Sequence, residues 1–169
     1  MNLDAGNLIS YIGSGTTWND LTGTGNNATL TNSPTYNIDR KGYFTLNGSN
    51  QQATVTDNAS LEPGTGDWTM EAWFNTATNA SSQCILGKFN AGGASSAVSY
   101  SIRLNSTSLF AQIGDGTGTY INSTMFSFST NTWYQVVYVY KGGSTKTLET
   151  FINGKSKGTV THTMNSILN

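Results

Sequence analysis

Between residues 43 and 157 the chain is a succession of short runs rich in Val, Ile, Tyr, Phe and Trp, cut apart by turns of Gly, Asn, Ser and Thr. Runs of this length with period-two patterning read as strands, and almost nothing in them carries the 3.6-residue period of a helix. Asn-Gly occurs twice, at Asn47-Gly48 and Asn153-Gly154. That dipeptide favours the positive φ angles of a type I′ hairpin turn. The expected fold class is therefore all-β, a two-sheet antiparallel jelly-roll sandwich whose function lies on a surface or a loop platform.

Residues 148–152 and 155–160 flank Asn153-Gly154 as one hairpin, and residues 43–46 and 53–56 flank Asn47-Gly48 as a second. Short strands are expected at residues 8–11 and 29–30, and residues 62–67, with one Pro and two Gly, form a loop. In the strand over 68–75, Met70, Ala72 and Phe74 share one face, while Thr69, Glu71, Trp73 and Asn75 share the other. Residues 85–89, 99–104, 109–113 and 120–126 supply four more strands. Residues 133–140 are the strongest of all, apolar on both faces, as suits a mid-sheet strand covered by core on one side and by ligand, loop or partner on the other.

At 169 residues and 18.0 kDa the chain fits a single domain spanning 1–169. Charged residues are only 10% of it, so solubility rests on Thr, Ser, Asn and Gly, together about half of the chain. Eight basic residues against nine acidic ones, with no basic run longer than Arg40-Lys41, leave no footprint for a phosphate backbone and argue against nucleic acid. The first residues lack a signal peptide's basic start and apolar centre, and no apolar run approaches a membrane span. Synthesis in a cytoplasm is expected. Cys84, in the run Cys84-Ile85-Leu86, reads as a small buried hydrophobe, and glycosylation-type Asn patterns as by-products of composition.

Five segments in order carry a family resemblance: Asp20-Leu21-Thr22-Gly23-Thr24-Gly25-Asn26-Asn27-Ala28-Thr29-Leu30, then Phe44-Thr45-Leu46-Asn47-Gly48, residues 61–74, residues 133–140, and Phe151-Ile152-Asn153-Gly154-Lys155. Together they resemble concanavalin A-like jelly rolls of the laminin-G/pentraxin type. The opening, residues 3–7 and 10–18, is similar to a subgroup common in bacteriophage structural and tail proteins. The resemblance implies a non-enzymatic, lectin-like module on a virion surface, such as a capsid decoration, head-fibre or tail-fibre domain that engages host glycans. A purely architectural protein that docks virion subunits is the main alternative, and a truncated glycan hydrolase the weaker one. Relatives also continue past the last hairpin with a closing strand. Its apparent lack here implies an open sheet edge, and hence a homo-oligomer or a chain that is part of something longer.

Glycoside hydrolysis needs two carboxyl groups about 5 to 9.5 Å apart. Glu71 is the lone carboxylate between Asp67 and Asp115, so catalysis is not expected and Glu71 reads as a strand residue. His162, the only histidine, reads as exposed and without a role. No cofactor is expected. Calcium, common in the resembled family, has only the weak candidates Asn47 and Asp115, since six to eight oxygen ligands are required and the usual aspartate is Asn47 here. Carbohydrate binding uses aromatic faces for sugar C–H groups and amides for hydroxyls. Its candidates are Trp18, Tyr36, Asn90, Tyr100, Asp115 and Tyr120, in or beside amide-rich loops, whereas Trp68, Trp73 and Trp133 read as core.

Overall fold

A computed structural model of the protein describes residues 1–80, 82–89, 98–115 and 120–164. The described regular structure is β-strand with two single-turn 3-10 segments, and no described helix is long and apolar enough to cross a membrane. The chain divides into two compact units, Met1–Leu61 and Glu62–Asn169.

In the first unit, β1 (Thr17–Trp18), β2 (Ala28–Thr31) and β5 (Gln52–Val55) form an antiparallel sheet in the order β1-β2-β5. Strands β3 (Thr35–Asn37) and β4 (Tyr43–Thr45) pair separately. Aromatic rings hold the unit: Tyr11 and Trp18 each pack 4.8 Å from the Phe44 ring, and Tyr36 lies 5.6 Å from it.

Two expectations fail in this unit. Asn47-Gly48 does not close a hairpin, because β4 pairs with β3 and β5 with β2. The Asn47 side-chain oxygen instead accepts the backbone N–H groups of Ser49, Asn50 and Gln51, building a wider turn that sends the chain to another sheet. Residues 8–11 are a turn rather than a strand. There the Asn7 carbonyl accepts the N–H groups of Ser10 and Tyr11, and its side chain accepts that of Ile9, so three of the segment's donors close the turn instead of pairing in a ladder.

The second unit is a sandwich. One sheet runs β14-β13-β12-β6, from β6 (Trp68–Phe74), β12 (Tyr134–Lys141), β13 (Lys146–Ile152) and β14 (Lys155–His162). The other runs β10-β9-β8-β7, from β7 (Gln83–Phe89), β8 (Val98–Asn105), β9 (Ser108–Gly114) and β10 (Tyr120–Asn122), with β11 (Phe126–Ser127) also on β9. Every pairing is antiparallel. Met70, Phe74, Val136, Tyr138, Leu148 and Ile152 meet Ile102, Leu104, Leu109, Ala111 and Ile113 in one buried cluster. The alternation expected in β6 is present, β12 lies inside its sheet, and Asn153-Gly154 turns β13 into β14 with φ of 50° and 74°. Cys84 is exposed and not a core residue: its strand bulges between Cys84 and Leu86, and the apolar contacts to the core are made by Ile85 and Leu86.

One core position is imperfect in an informative way. Thr150 is fully buried between Leu148 and Ile152 on the inward face of β13, and its hydroxyl has no hydrogen-bond partner. Replacing Thr150 with the near-isosteric Val removes the orphaned group, and the variant is expected to gain about 1 kcal/mol, read as a melting temperature higher by about 2–4 °C.

Candidate functional site

On the face of the β14-β13-β12-β6 sheet turned away from the core, the outward side chains of β6 are exposed and those of β12 and β13 mostly half-buried. Because side chains alternate, the inward set of β6 (Met70, Ala72, Phe74) forces Thr69, Glu71 and Trp73 outward. Trp73 is 63% exposed. A strand indole offers 150 Å² or more of surface, so this much exposure leaves a broad apolar plate in water. The reading of Trp73 as core fails: it lies on the face that alternation assigns, but its side chain stands in solvent.

The plate has a defined polar surround. Gln135 stands directly opposite Trp73 in the ladder, and its side-chain amide donates to Glu71 Oε1 at 2.7 Å. The Gln135 backbone is clamped to the hairpin tip: its N–H donates to Asn153 Oδ1 at 2.9 Å and its carbonyl accepts the Asn153 N–H at 3.0 Å. Beyond them Val137 and Phe151 are half-buried neighbours across the strands, and Glu149 accepts the Ser156 hydroxyl at 2.8 Å. Lys141, further along this face, pairs with Asp67 at 2.9 Å, and Asp67 also accepts the Gly142 N–H. These two hydrogen-bonding partners, Gly142 first, hold the Asp67 carboxyl below its ordinary range. An aromatic plate rimmed by a fixed amide and a fixed carboxylate can stack a flat apolar surface and bond hydroxyls at its edge.

The residues singled out in the sequence fall into two groups. Trp18 and Tyr36 belong to the first unit and meet around Phe44. The Tyr36 hydroxyl donates to the Ala5 carbonyl, and its ring lines a cavity of about 420 Å³ whose walls include Tyr11, Leu30 and Pro34. Tyr100, Asp115 and Tyr120 gather at one end of the second unit, where Tyr100 pairs with Ile113 and Tyr120 with Gly114. Tyr100 turns inward, 5.6 Å from the Trp68 ring, while Tyr120 is exposed. Asn90 lies outside the described residues. The Asn47 side chain is engaged with its own turn, and among the described residues no three His, Cys, Asp or Glu side chains converge as a metal cluster would need.

His162 is buried, not exposed as its Thr-rich surroundings suggested. Its ring lies 5.3 Å from that of Tyr140, which stacks on Trp68 at 5.4 Å. Its Nδ1 accepts the Met164 N–H at 3.3 Å, which places the proton of the neutral ring on Nε2. Burial first, and the Lys146 charge paired across the ladder second, lower its pKa. The sign follows: a base whose pKa is depressed by folding stabilises fully above its unfolded value near 6.5, and that contribution is lost as pH falls through the folded value. The melting temperature is expected to drop on acidification below about pH 6.5, and the drop to shrink in His162→Phe.

This two-sheet antiparallel sandwich with an aromatic-bearing outward face is a lectin-type architecture. The chain belongs to the Concanavalin A-like lectin/glucanases superfamily, whose family model matches residues 47–169. No curated protein sequence matches it. Solved structures similar to it include a botulinum neurotoxin serotype G binding domain (TM-score 0.64, 14% identity, 82% of this chain and 36% of that one). A botulinum neurotoxin type G receptor binding domain also aligns (TM-score 0.65, 15% identity, 91% of this chain and 39% of that one). A third is from a study of botulinum neurotoxin type C, whose cell entry depends on interaction with two ganglioside molecules (TM-score 0.65, 17% identity, 93% and 39%). The chain thus spans well under half the length of each. At these identities the likeness is one of fold.

Proposed function

We propose that this protein is a non-enzymatic, lectin-like module that binds surface glycans on the outward face of its four-stranded sheet, with Trp73 as the stacking platform and Gln135 and Glu71 as the hydroxyl partners. The exposure of Trp73 beside a clamped Gln135–Glu71 pair is the observation that carries the reading. The neurotoxin receptor-binding domains of the same fold support it by analogy of architecture. Binding without hydrolysis fits the carboxylate layout. Glu71 is hydrogen-bonded to Gln135, Asp67 to Lys141 and Gly142, and Glu149 to Ser156, so each carboxylate of this face is engaged with its own neighbour.

The proposed setting is a virion surface, supported by the phage-like opening segment and the charge-poor composition. Homo-oligomerisation belongs to the same proposal: β14 is the last strand of its sheet among the described residues, and its edge would take a strand from a second copy. A glycan array probed with the native protein tests the central reading. Reproducible, sugar-competable binding that falls tenfold or more in Trp73→Ala, with an unchanged melting temperature, is the expected result. Silence across diverse glycans, with stable incorporation into particles, would favour the architectural alternative.

A further inference from the structure

We infer that the Trp73 face selects by charge, accepting neutral and amino-bearing sugars and rejecting acidic ones, with Glu71 as the selecting residue. The inference rests on the reading of that face as a glycan platform.

Glu71 and Trp73 are two residues apart on the same side of β6, which puts their side chains about 7 Å from one another. The side-chain amide of Gln135, opposite Trp73, donates to a Glu71 oxygen at 2.7 Å, which favours the rotamer that keeps the carboxylate on this side. A sugar ring stacked on the indole therefore carries its substituents within about 7 Å of a fixed negative charge. Glu149, outward on β13, adds a second of the same sign.

The described residues of the second unit bring no compensating cation to Trp73. Among the Lys and Arg of the second unit, Lys88 and Arg103 sit on the other sheet. Lys146 and Lys155 stand opposite His162 and Ile152, both inward-facing positions, and the Lys157 ammonium lies 5.3 Å over the Phe126 ring, which packs on the core. Lys141 alone shares the outward face, at the far end of β12 from Gln135, and it is already paired with Asp67. An acidic sugar on Trp73 would meet repulsion that no cation of the second unit offsets. Like charges about 7 Å apart cost a factor of about 3 in association in bulk water, and about 10 where the stacked ring lowers the local dielectric. An ammonium-bearing sugar would gain by a similar factor.

The test is an array of matched glycan pairs that differ by one terminal sialic acid, probed with full-length wild type, Glu71→Gln and Trp73→Ala at low and high salt. Wild type is expected to prefer the neutral member of a pair about three- to tenfold, with the gap narrowing in high salt as screening shortens to a few ångströms. Glu71→Gln keeps the side chain's length and an oxygen for Gln135, and it should bring the pair close to parity. Parity or a preference for the sialylated member in wild type would overturn the inference, as would an undiminished gap in Glu71→Gln; both leave the glycan reading standing. Loss of neutral-glycan binding in Trp73→Ala supports the platform itself. No binding of either member by wild type, or binding untouched in Trp73→Ala, overturns the platform and the charge selection together.

Discussion

Asp20→Ala is expected to destabilise the first unit by about 3 kcal/mol, a large fraction of what holds a unit of that size. The reason is the number of donors that converge on one carboxylate. Its Oδ1 accepts the N–H groups of Asn2 and Thr22, at 2.8 and 3.1 Å. Its Oδ2 accepts the hydroxyls of Thr22 and Thr24, at 2.8 and 2.7 Å, and more distantly the Asn26 N–H. Its own N–H donates to the Asn27 side chain, which closes the loop on itself. Alanine removes this shared acceptor at a position only 9% exposed, and it leaves the buried Asn26 N–H without its partner. Gly23 and Gly25, at φ of 76° and 79°, supply the turns that let the backbone wrap a single side chain.

The same site dictates a pH dependence. Burial taken alone raises the Asp20 pKa, but the hydrogen bonds from Thr24, Asn2 and Thr22 together hold it far below the ordinary carboxylate range. A depressed carboxylate stabilises the fold above its unfolded value, near pH 4, and that contribution disappears as pH falls toward the folded value. Acid titration followed by circular dichroism should show wild type losing stability below about pH 4, with a flatter profile in Asp20→Asn from a lower starting stability at neutral pH. Equal urea midpoints for wild type and Asp20→Ala at neutral pH would show that the loop is not held this way.

How far the sequence reveals this molecule depends on whether a signal is local. The Asp20 to Leu30 segment stood out as a motif because its residues serve one another within a single turn. Asn153-Gly154 was readable because the strands it joins are also the strands that pair. Asn47-Gly48, the same dipeptide, misled because the partners of β4 and β5 are set elsewhere in the chain and no turn residue encodes them. Trp73 divides along the same line. Its side of β6 followed from alternation with Met70 and Phe74, whereas solvent on that side follows from where the second sheet stands. His162 is a further case: its Thr-rich neighbours gave no sign that Tyr140 and Lys146 would enclose it. The candidate site was therefore invisible as a site: alternation put Glu71 and Trp73 on their face and the Asn-Gly pair put Asn153 at its turn, but no local signal gave Gln135 a face.

Leu148→Ala should separate what the fold requires from what the face contributes. Leu148 is fully buried, opposite Tyr140 on one side and Val160 on the other, so truncation removes apolar contact and leaves a cavity that strands tied into a ladder can fill only in part. The expected loss is about 3 kcal/mol, a fall in melting temperature of about 6–12 °C. Trp73→Ala, a larger truncation by volume, should cost no more than about 0.5 kcal/mol, because the indole already stands in water. Glycan affinity should move the opposite way: measured well below both melting temperatures, Leu148→Ala keeps the affinity of wild type while Trp73→Ala loses it. A sheet held from one side and read from the other predicts that crossing of the two effects, and a Trp73→Ala variant that unfolds as readily as Leu148→Ala would mean that the indole is covered and that the platform does not exist.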